Sequence, residues 1–144
     1  MINKWDERFM GMANLVATWS KDPSKQVGAV IVDNNSRVVS VGFNGLPKGM
    51  IDDPSLPKKN KLAATVHAEV NAILFAKQDL TGCRLYSTFP ICASCASVII
   101  QSGIKTVHMQ DTMSGSSSWK ESCALAEDTM TEAGVKIYYM SGIL

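Results

Sequence analysis

The chain has no hydrophobic run long enough to cross a bilayer, and its first residues, Met1-Ile2-Asn3-Lys4-Trp5-Asp6-Glu7-Arg8, lack the apolar core of a secretion signal. It has no block of like charge either: 14 Lys and Arg against 13 Asp and Glu leave a net charge of +1. Long RNA or DNA needs a basic track, so neither nucleic acid nor a membrane is an expected partner. A small ligand carrying one phosphate needs only a few local donors and stays open. Cysteine is sparse, with Cys83, Cys92, Cys95 and Cys123 in 144 residues. With no secretion signal, a cytoplasmic, reducing location is expected, where Cys-x-x-Cys means metal or redox chemistry before it means a disulfide. No repeat, low-complexity tract or linker divides the sequence, so one domain over residues 1–144 is expected.

What is present is a set of metal ligands. Thr65-Val66-His67-Ala68-Glu69 is followed by Phe89-Pro90-Ile91-Cys92-Ala93-Ser94-Cys95. One imidazole and two thiolates leave the fourth position of a tetrahedral zinc open, as in a catalytic rather than a structural site. Cys92 and Cys95 are three residues apart at a helix start, so their sulfurs share a face. The helix N-terminus lowers thiol pKa and favours the thiolates zinc requires. Glu69, two residues along a helix from His67, points elsewhere and is placed to move a proton rather than to ligate. A zinc ribbon or a redox Cys-x-x-Cys is the competing explanation. A ribbon normally brings a fourth Cys or His close to one pair, and Cys83, His108 and Cys123 do not have that spacing. Those three are expected to be two small buried thiols and a strand-end histidine. The Trp and Met positions of the first and last helices are expected in the core or an interface rather than at a ligand.

Periodicity places these segments. Trp5, Phe9, Met12, Val16 and Trp19 recur at helical spacing, ending near Ser20. Val27–Val32 and Val38–Val41 form a predicted hairpin, and the Gly- and Pro-rich stretch from Gly42 to Asn60 is expected to be irregular. A second helix is predicted over Val66–Ala76, a strand over Arg84–Thr88 and a third helix over Cys92–Gln101. A strand over Thr106–Gln110, a loop over Met113–Ser118, a helix over Trp119–Ala133 and a strand over Val135–Met140 complete the chain. That order, α-β-β-α-β-α-β-α-β, predicts an α/β domain with a mixed sheet covered on both faces.

His-x-Glu with a later Cys-x-x-Cys is a signature of zinc-dependent nucleobase deaminases. Four segments make the chain resemble the deoxycytidylate (dCMP) deaminase family within the cytidine-deaminase-like superfamily. They are Ser20-Lys21-Asp22-Pro23-Ser24-Lys25-Gln26-Val27-Gly28-Ala29, Gly42-Phe43-Asn44-Gly45-Leu46-Pro47-Lys48-Gly49, the segment from His67 to Ile73, and Cys92-Ala93-Ser94-Cys95-Ala96. The resemblance implies a single-domain three-layer α/β/α fold around a mixed five-stranded sheet, and hydrolysis of dCMP to dUMP and ammonia. It implies one Zn²⁺ per subunit on His67, Cys92 and Cys95, with Glu69 as the shuttle that protonates ring N3 and then the departing amine. The backbone at Ala68 and Cys92 would meet the pyrimidine edge and Asn44 the deoxyribose hydroxyl. Apart from the resemblance, the Ser/Gly loop that contains Ser114 offers hydroxyls and backbone N–H groups to a phosphate, and plain surface is the equal alternative. The family's effector loop corresponds to the segment containing Gly45 and Lys48, which implies activation by dCTP with Mg²⁺, inhibition by dTTP and a homohexamer. Two positions depart from the family pattern. Ile91 stands where many members have proline before the first zinc cysteine, and Met113 where many have a tyrosine. A changed loop around an intact ligand is the expected consequence of the first. The alternatives are a zinc deaminase acting on free cytidine, deoxycytidine or tRNA adenosine, and a non-catalytic module that binds zinc or nucleotide.

Overall fold

The computed structural model describes residues 2–111 and 116–141. Helix α1 (Lys4–Ala17) starts at a capping box, in which Asn3 accepts from the amides of Trp5 and Asp6 and the Asp6 carboxylate accepts from the amide of Asn3. Strands β1 (Gly28–Val32) and β2 (Val38–Phe43) form the expected antiparallel hairpin. Helices α2 (Lys58–Ala64) and α3 (Ala68–Ala76) follow, then β3 (Arg84–Ser87), α4 (Ala93–Ser102), β4 (Thr106–Gln110), α5 (Ser117–Glu132) and β5 (Lys136–Met140).

The sheet order is β2-β1-β3-β4-β5. Strand β1 is antiparallel to both neighbours, while β3, β4 and β5 run parallel, so the sheet is mixed. Alternation along the strands divides the core into two. Ala29, Ile31, Leu85, Val107 and Met109 face one way, into a cluster with residues of α3, α4 and α5. Val30, Val32 and Tyr86 face the other way, against Phe9, Met10 and Ala13 of α1. The result is a three-layer α/β/α arrangement with one helix opposite three.

Two glycines let helices approach the hairpin closely. A Cβ on Gly28 would lie 2.1 Å from the carbonyl oxygen of Ala13 in α1. A Cβ on Gly42 would lie 2.4 Å from the carbonyl oxygen of Ala68 and 2.4 Å from the nitrogen of Ala72 in α3. Gly42 therefore sets how near the start of α3, with its metal ligand, lies to the sheet.

Three sequence expectations need correction. The stretch from Gly42 to Asn60 is not irregular throughout, because α2 begins within it at Lys58. Its sequence KKNKLAA buries no residue, so it has no apolar stripe to give the helix away. Val66 does not start a helix; it pairs in a bridge with Gly45, and His67 caps α3. His108 is not at a strand end but in the middle of β4, buried on the α1 face.

Candidate active site

The site is built at the starts of two helices on one side of the sheet. His67 is the N-cap of α3 and Cys92 the N-cap of α4, both in extended conformation, and Cys95 lies in the first turn of α4. The ligand atoms of His67, Cys92 and Cys95 all lie within 4.8 Å of one another. His67 Nδ1 is 3.1 Å from the Cys95 sulfur and 3.4 Å from the Cys92 sulfur. Tetrahedral zinc with ordinary Zn–N and Zn–S bonds holds such atoms about 3.5 to 3.8 Å apart, so the donor set fits that ion. Among the described residues this is the one cluster of at least three His, Cys, Asp or Glu side chains placed to hold a metal.

The electrostatics favour the thiolate at Cys92 and the thiol at Cys95. The Cys95 thiol, hydrogen bonded to Cys92, and further bonds from His67 and Ser94 bring Cys92 down to about 3 against the opposing effect of burial. Cys95 is raised by the same contact with Cys92 and by burial. His67 is raised by its hydrogen bond to Cys92. Backbone support comes from α5, where the Ser122 hydroxyl accepts from the Ala93 amide at 2.9 Å, tying the Cys92–Cys95 turn in place.

Glu69 lies in the first turn of α3 and is only 4% exposed. Burial pushes its carboxyl above the ordinary value, with His67 and hydrogen bonds from Cys95 and Ser87 acting against it. The Ser87 hydroxyl is 3.1 Å from Glu69 Oε1 and 2.8 Å from the Phe89 carbonyl oxygen. It has one proton, so it can donate to only one of them at a time.

His67, Ala68 and Glu69 border a cavity of about 560 Å³ whose other walls include Asn44, Phe89, Pro90 and Trp119. That volume is within the range of small-ligand sites. Asn44 is buried, and its side chain accepts from the Val27 amide at 2.9 Å and donates to the Lys25 carbonyl at 2.8 Å. One of its amide hydrogens remains for another partner.

The structure separates the remaining expected contacts. Gly45 borders a second cavity of about 630 Å³ with Lys21, Asp52 and Lys61, whereas Lys48 lies over the Phe75 ring, 4.5 Å from its centroid, and is not part of that lining. Ser114 and Met113 lie outside the described residues. Trp119, expected in core or interface, packs against the core cluster and also forms part of the 560 Å³ cavity wall, with its ring centroid 5.4 Å from Phe89 and 6.3 Å from His67. Lys25 and Lys58 also border this cavity and were not singled out from the sequence. Only the position of Lys25 in the motif beginning at Ser20 pointed towards the site; Lys58, on a polar helix, gave no signal.

Residues 3–110 match the model of the cytidine and deoxycytidylate deaminase zinc-binding region. The chain belongs to the cytidine and deoxycytidylate deaminase family. It is 48% identical over 142 residues to an uncharacterized deaminase in the luxG 3′ region of Aliivibrio fischeri, covering 97% of this chain and 96% of that one. It is 44% identical over 113 residues to deoxycytidylate deaminase of Homo sapiens, where the match covers 72% of this chain and 63% of the relative. The crystal structure of the dCMP deaminase from cyanophage S-TIM5 in complex with dCMP and dUMP superposes with a TM-score of 0.76 at 25% identity, covering 97% of this chain and 99% of that one. The chain is thus a deaminase hydrolase with the cytidine-deaminase-like fold. Among the described residues, no helix is long and apolar enough to cross a membrane.

Proposed function

We propose that this deaminase hydrolyses dCMP to dUMP and ammonia, with one zinc per subunit on His67, Cys92 and Cys95 and Glu69 moving the protons. The observation that carries this reading is a three-ligand cluster whose His67, with the buried carboxylate of Glu69, lines one nucleotide-sized cavity. The family relationship and the dCMP-bound neighbour support the choice of base and sugar. When bound, zinc supplies a Lewis acid that lowers the pKa of a water towards neutrality.

Glu69 does the rest of the acid–base work. Hydrolysis forms a C–O bond at C4, breaks the C4–N4 bond and carries the protons of water to ring N3 and the leaving amine. A carboxyl made more basic by burial takes up a proton readily and can hold it for those nitrogens. Ser87 serves both states: its hydroxyl donates to ionised Glu69 and turns to the Phe89 carbonyl once Glu69 is protonated. By family resemblance the backbone at Ala68 and Cys92 meets the pyrimidine edge and the remaining amide hydrogen of Asn44 the deoxyribose hydroxyl; Ala68 and Asn44 lining the same cavity support this.

Regulation by dCTP with Mg²⁺ and by dTTP forms part of the same proposal, with Gly45 at the second cavity as its support. Lys48 enters it only through its place in the same loop. A homo-oligomer, hexameric by family resemblance, is supported by exposed Trp19, Leu74 and Phe75. The domain acts as one catalytic unit in the cytoplasm.

The test is a substrate panel of dCMP, dCTP, cytidine, deoxycytidine and a tRNA anticodon stem-loop, with dCTP and dTTP added in turn to the dCMP assay. dCMP should be the best substrate, stimulated by dCTP and inhibited by dTTP. Turnover of cytidine without turnover of dCMP would overturn the reading.

A further inference from the structure

Residues 46–65 leave the sheet and return to the same place. The Gly45 amide donates to the Val66 carbonyl at 3.1 Å and the Val66 amide to the Gly45 carbonyl at 2.8 Å, so this bridge closes the segment at its neck, directly before His67. Beyond the neck, α2 buries none of its residues, and no strand or other helix packs extensively against it. Yet Lys58 and Leu62 line the 560 Å³ cavity, as does Thr65 just past the end of the helix. We propose that the segment ending in α2 is a lid, hinged at the Gly45–Val66 bridge, which closes on the bound nucleotide with Leu62 as its seal; this rests on the dCMP reading above.

Leu62 lines the cavity and is still 58% exposed, so the open position leaves an apolar side chain in water at the edge of the site. Residues at i, i+4 and i+7 share one helix face, so a movement of α2 as a body carries that whole face inward. A seven-residue helix is too short to be stable by itself, and here packing adds little to it. It belongs to the low-stability elements from which moving parts are drawn.

The segment is bonded to itself rather than to the core, which lets it move as a unit. Every residue from Ile51 to Ala63 except Leu56 and Lys61 is exposed. Lys61 pairs with Asp52 at 2.8 Å, tying α2 to the loop before it. In that loop the Asp53 carboxylate accepts from the Ser55 amide at 2.9 Å, and the Asp53 carbonyl from the Leu56 amide at 3.0 Å. The Pro57 carbonyl accepts from the Asn60 and Lys61 amides, and the Thr65 hydroxyl donates to the Lys61 carbonyl at 2.7 Å. Ser116 and Trp119 line the same cavity from the start of α5, so closure narrows the gap between α2 and α5. With the lid down, bulk water is excluded and the electrostatics at Glu69 are strengthened.

The test places spin labels at two exposed positions, Lys59→Cys on α2 and Glu121→Cys on α5, with Cys123→Ser to remove the half-buried thiol. Their separation is measured in the zinc-loaded protein with and without saturating dUMP, whose binding is followed by calorimetry. The separation should shorten by several ångström and its distribution should narrow. Leu62→Ala, a change at an exposed position, should keep the wild-type melting temperature and zinc content. It should lower kcat/KM for dCMP about tenfold, as losing most of one leucine's burial would, and Leu62→Met should restore most of that loss. An unchanged separation with dUMP bound, or wild-type kcat/KM in Leu62→Ala, would overturn the lid and leave the dCMP reading standing. A wild type that neither binds dUMP nor turns over dCMP would overturn both.

Discussion

Glu69 and Asp6 are carboxylates of nearly equal burial, 4% and 5% exposed, on opposite faces of the same sheet. They have opposite surroundings. Asp6 is occupied on both oxygens: Oδ1 accepts from the Tyr86 hydroxyl at 2.5 Å and faces His108 Nε2 at 3.5 Å, and Oδ2 accepts from the Asn3 amide. His108 is stacked between Tyr86 and Tyr138, with centroids 4.6 and 5.0 Å away, because the parallel register of β3, β4 and β5 aligns the three residues. Glu69 instead has a hydroxyl that can turn away from it and a cavity in front of it. A buried carboxyl with partners on both oxygens fixes a helix to a sheet. One with a movable partner and an opening is available for chemistry.

If the two faces divide the work in this way, perturbing each should give different signatures. The largest effect belongs to the metal ligands: His67→Ala or Cys95→Ser should drop zinc content well below one per chain by metal analysis and take deamination to background. Next come the paired glycines. Gly28→Ala and Gly42→Ala insert equally severe contacts, each expected to cost about 1–3 kcal/mol in chemical denaturation. Only Gly42→Ala displaces the start of α3, so it alone should also lower kcat per bound zinc, by about 10²-fold for a shift near 1 Å. Equal kinetic losses from both would break the comparison.

Tyr86→Phe should destabilise the fold by about 1–3 kcal/mol, because a buried carboxylate loses a donor, and should leave kcat per zinc unchanged. The smallest effect is in pH dependence. Burial depresses His108 below its ordinary 6.5, with Asp6 acting the other way and Arg84 and the N-terminus reinforcing burial. The unfolded chain therefore takes up this proton first as pH falls. Stability from His108 is whole above about pH 6.5 and declines below it, by at most about 1.4 kcal/mol per pH unit. Unfolding midpoints measured from neutral pH downward should show this slope in the wild type and a shallower one in His108→Gln.

Most of the catalytic face was legible in the sequence, because its chemistry depends on residue types at fixed local spacing. His67 and Glu69 share one helix start and Cys92 and Cys95 another, and β-branched runs and glycine stops announced the elements around them. What local pattern could not convey was assembled across distance. Helix α2 has no buried stripe, so hydrophobic periodicity had nothing to register. Trp119 resembles any core aromatic until the sheet brings it beside Phe89 and His67. His108 gains its partners from α1 and two neighbouring strands, none of which its own segment reveals. Lys25 and Lys58 likewise border a cavity that neither segment encloses alone.

The central claim is that Glu69 moves the protons at a zinc site which it does not itself hold together. The direct measurement is steady-state deamination of dCMP by Glu69→Gln and wild type at equal, independently measured zinc content. The account predicts one zinc per chain in both and a loss in kcat of about 10²- to 10⁴-fold in the variant. Near wild-type turnover by Glu69→Gln at full zinc occupancy would contradict it.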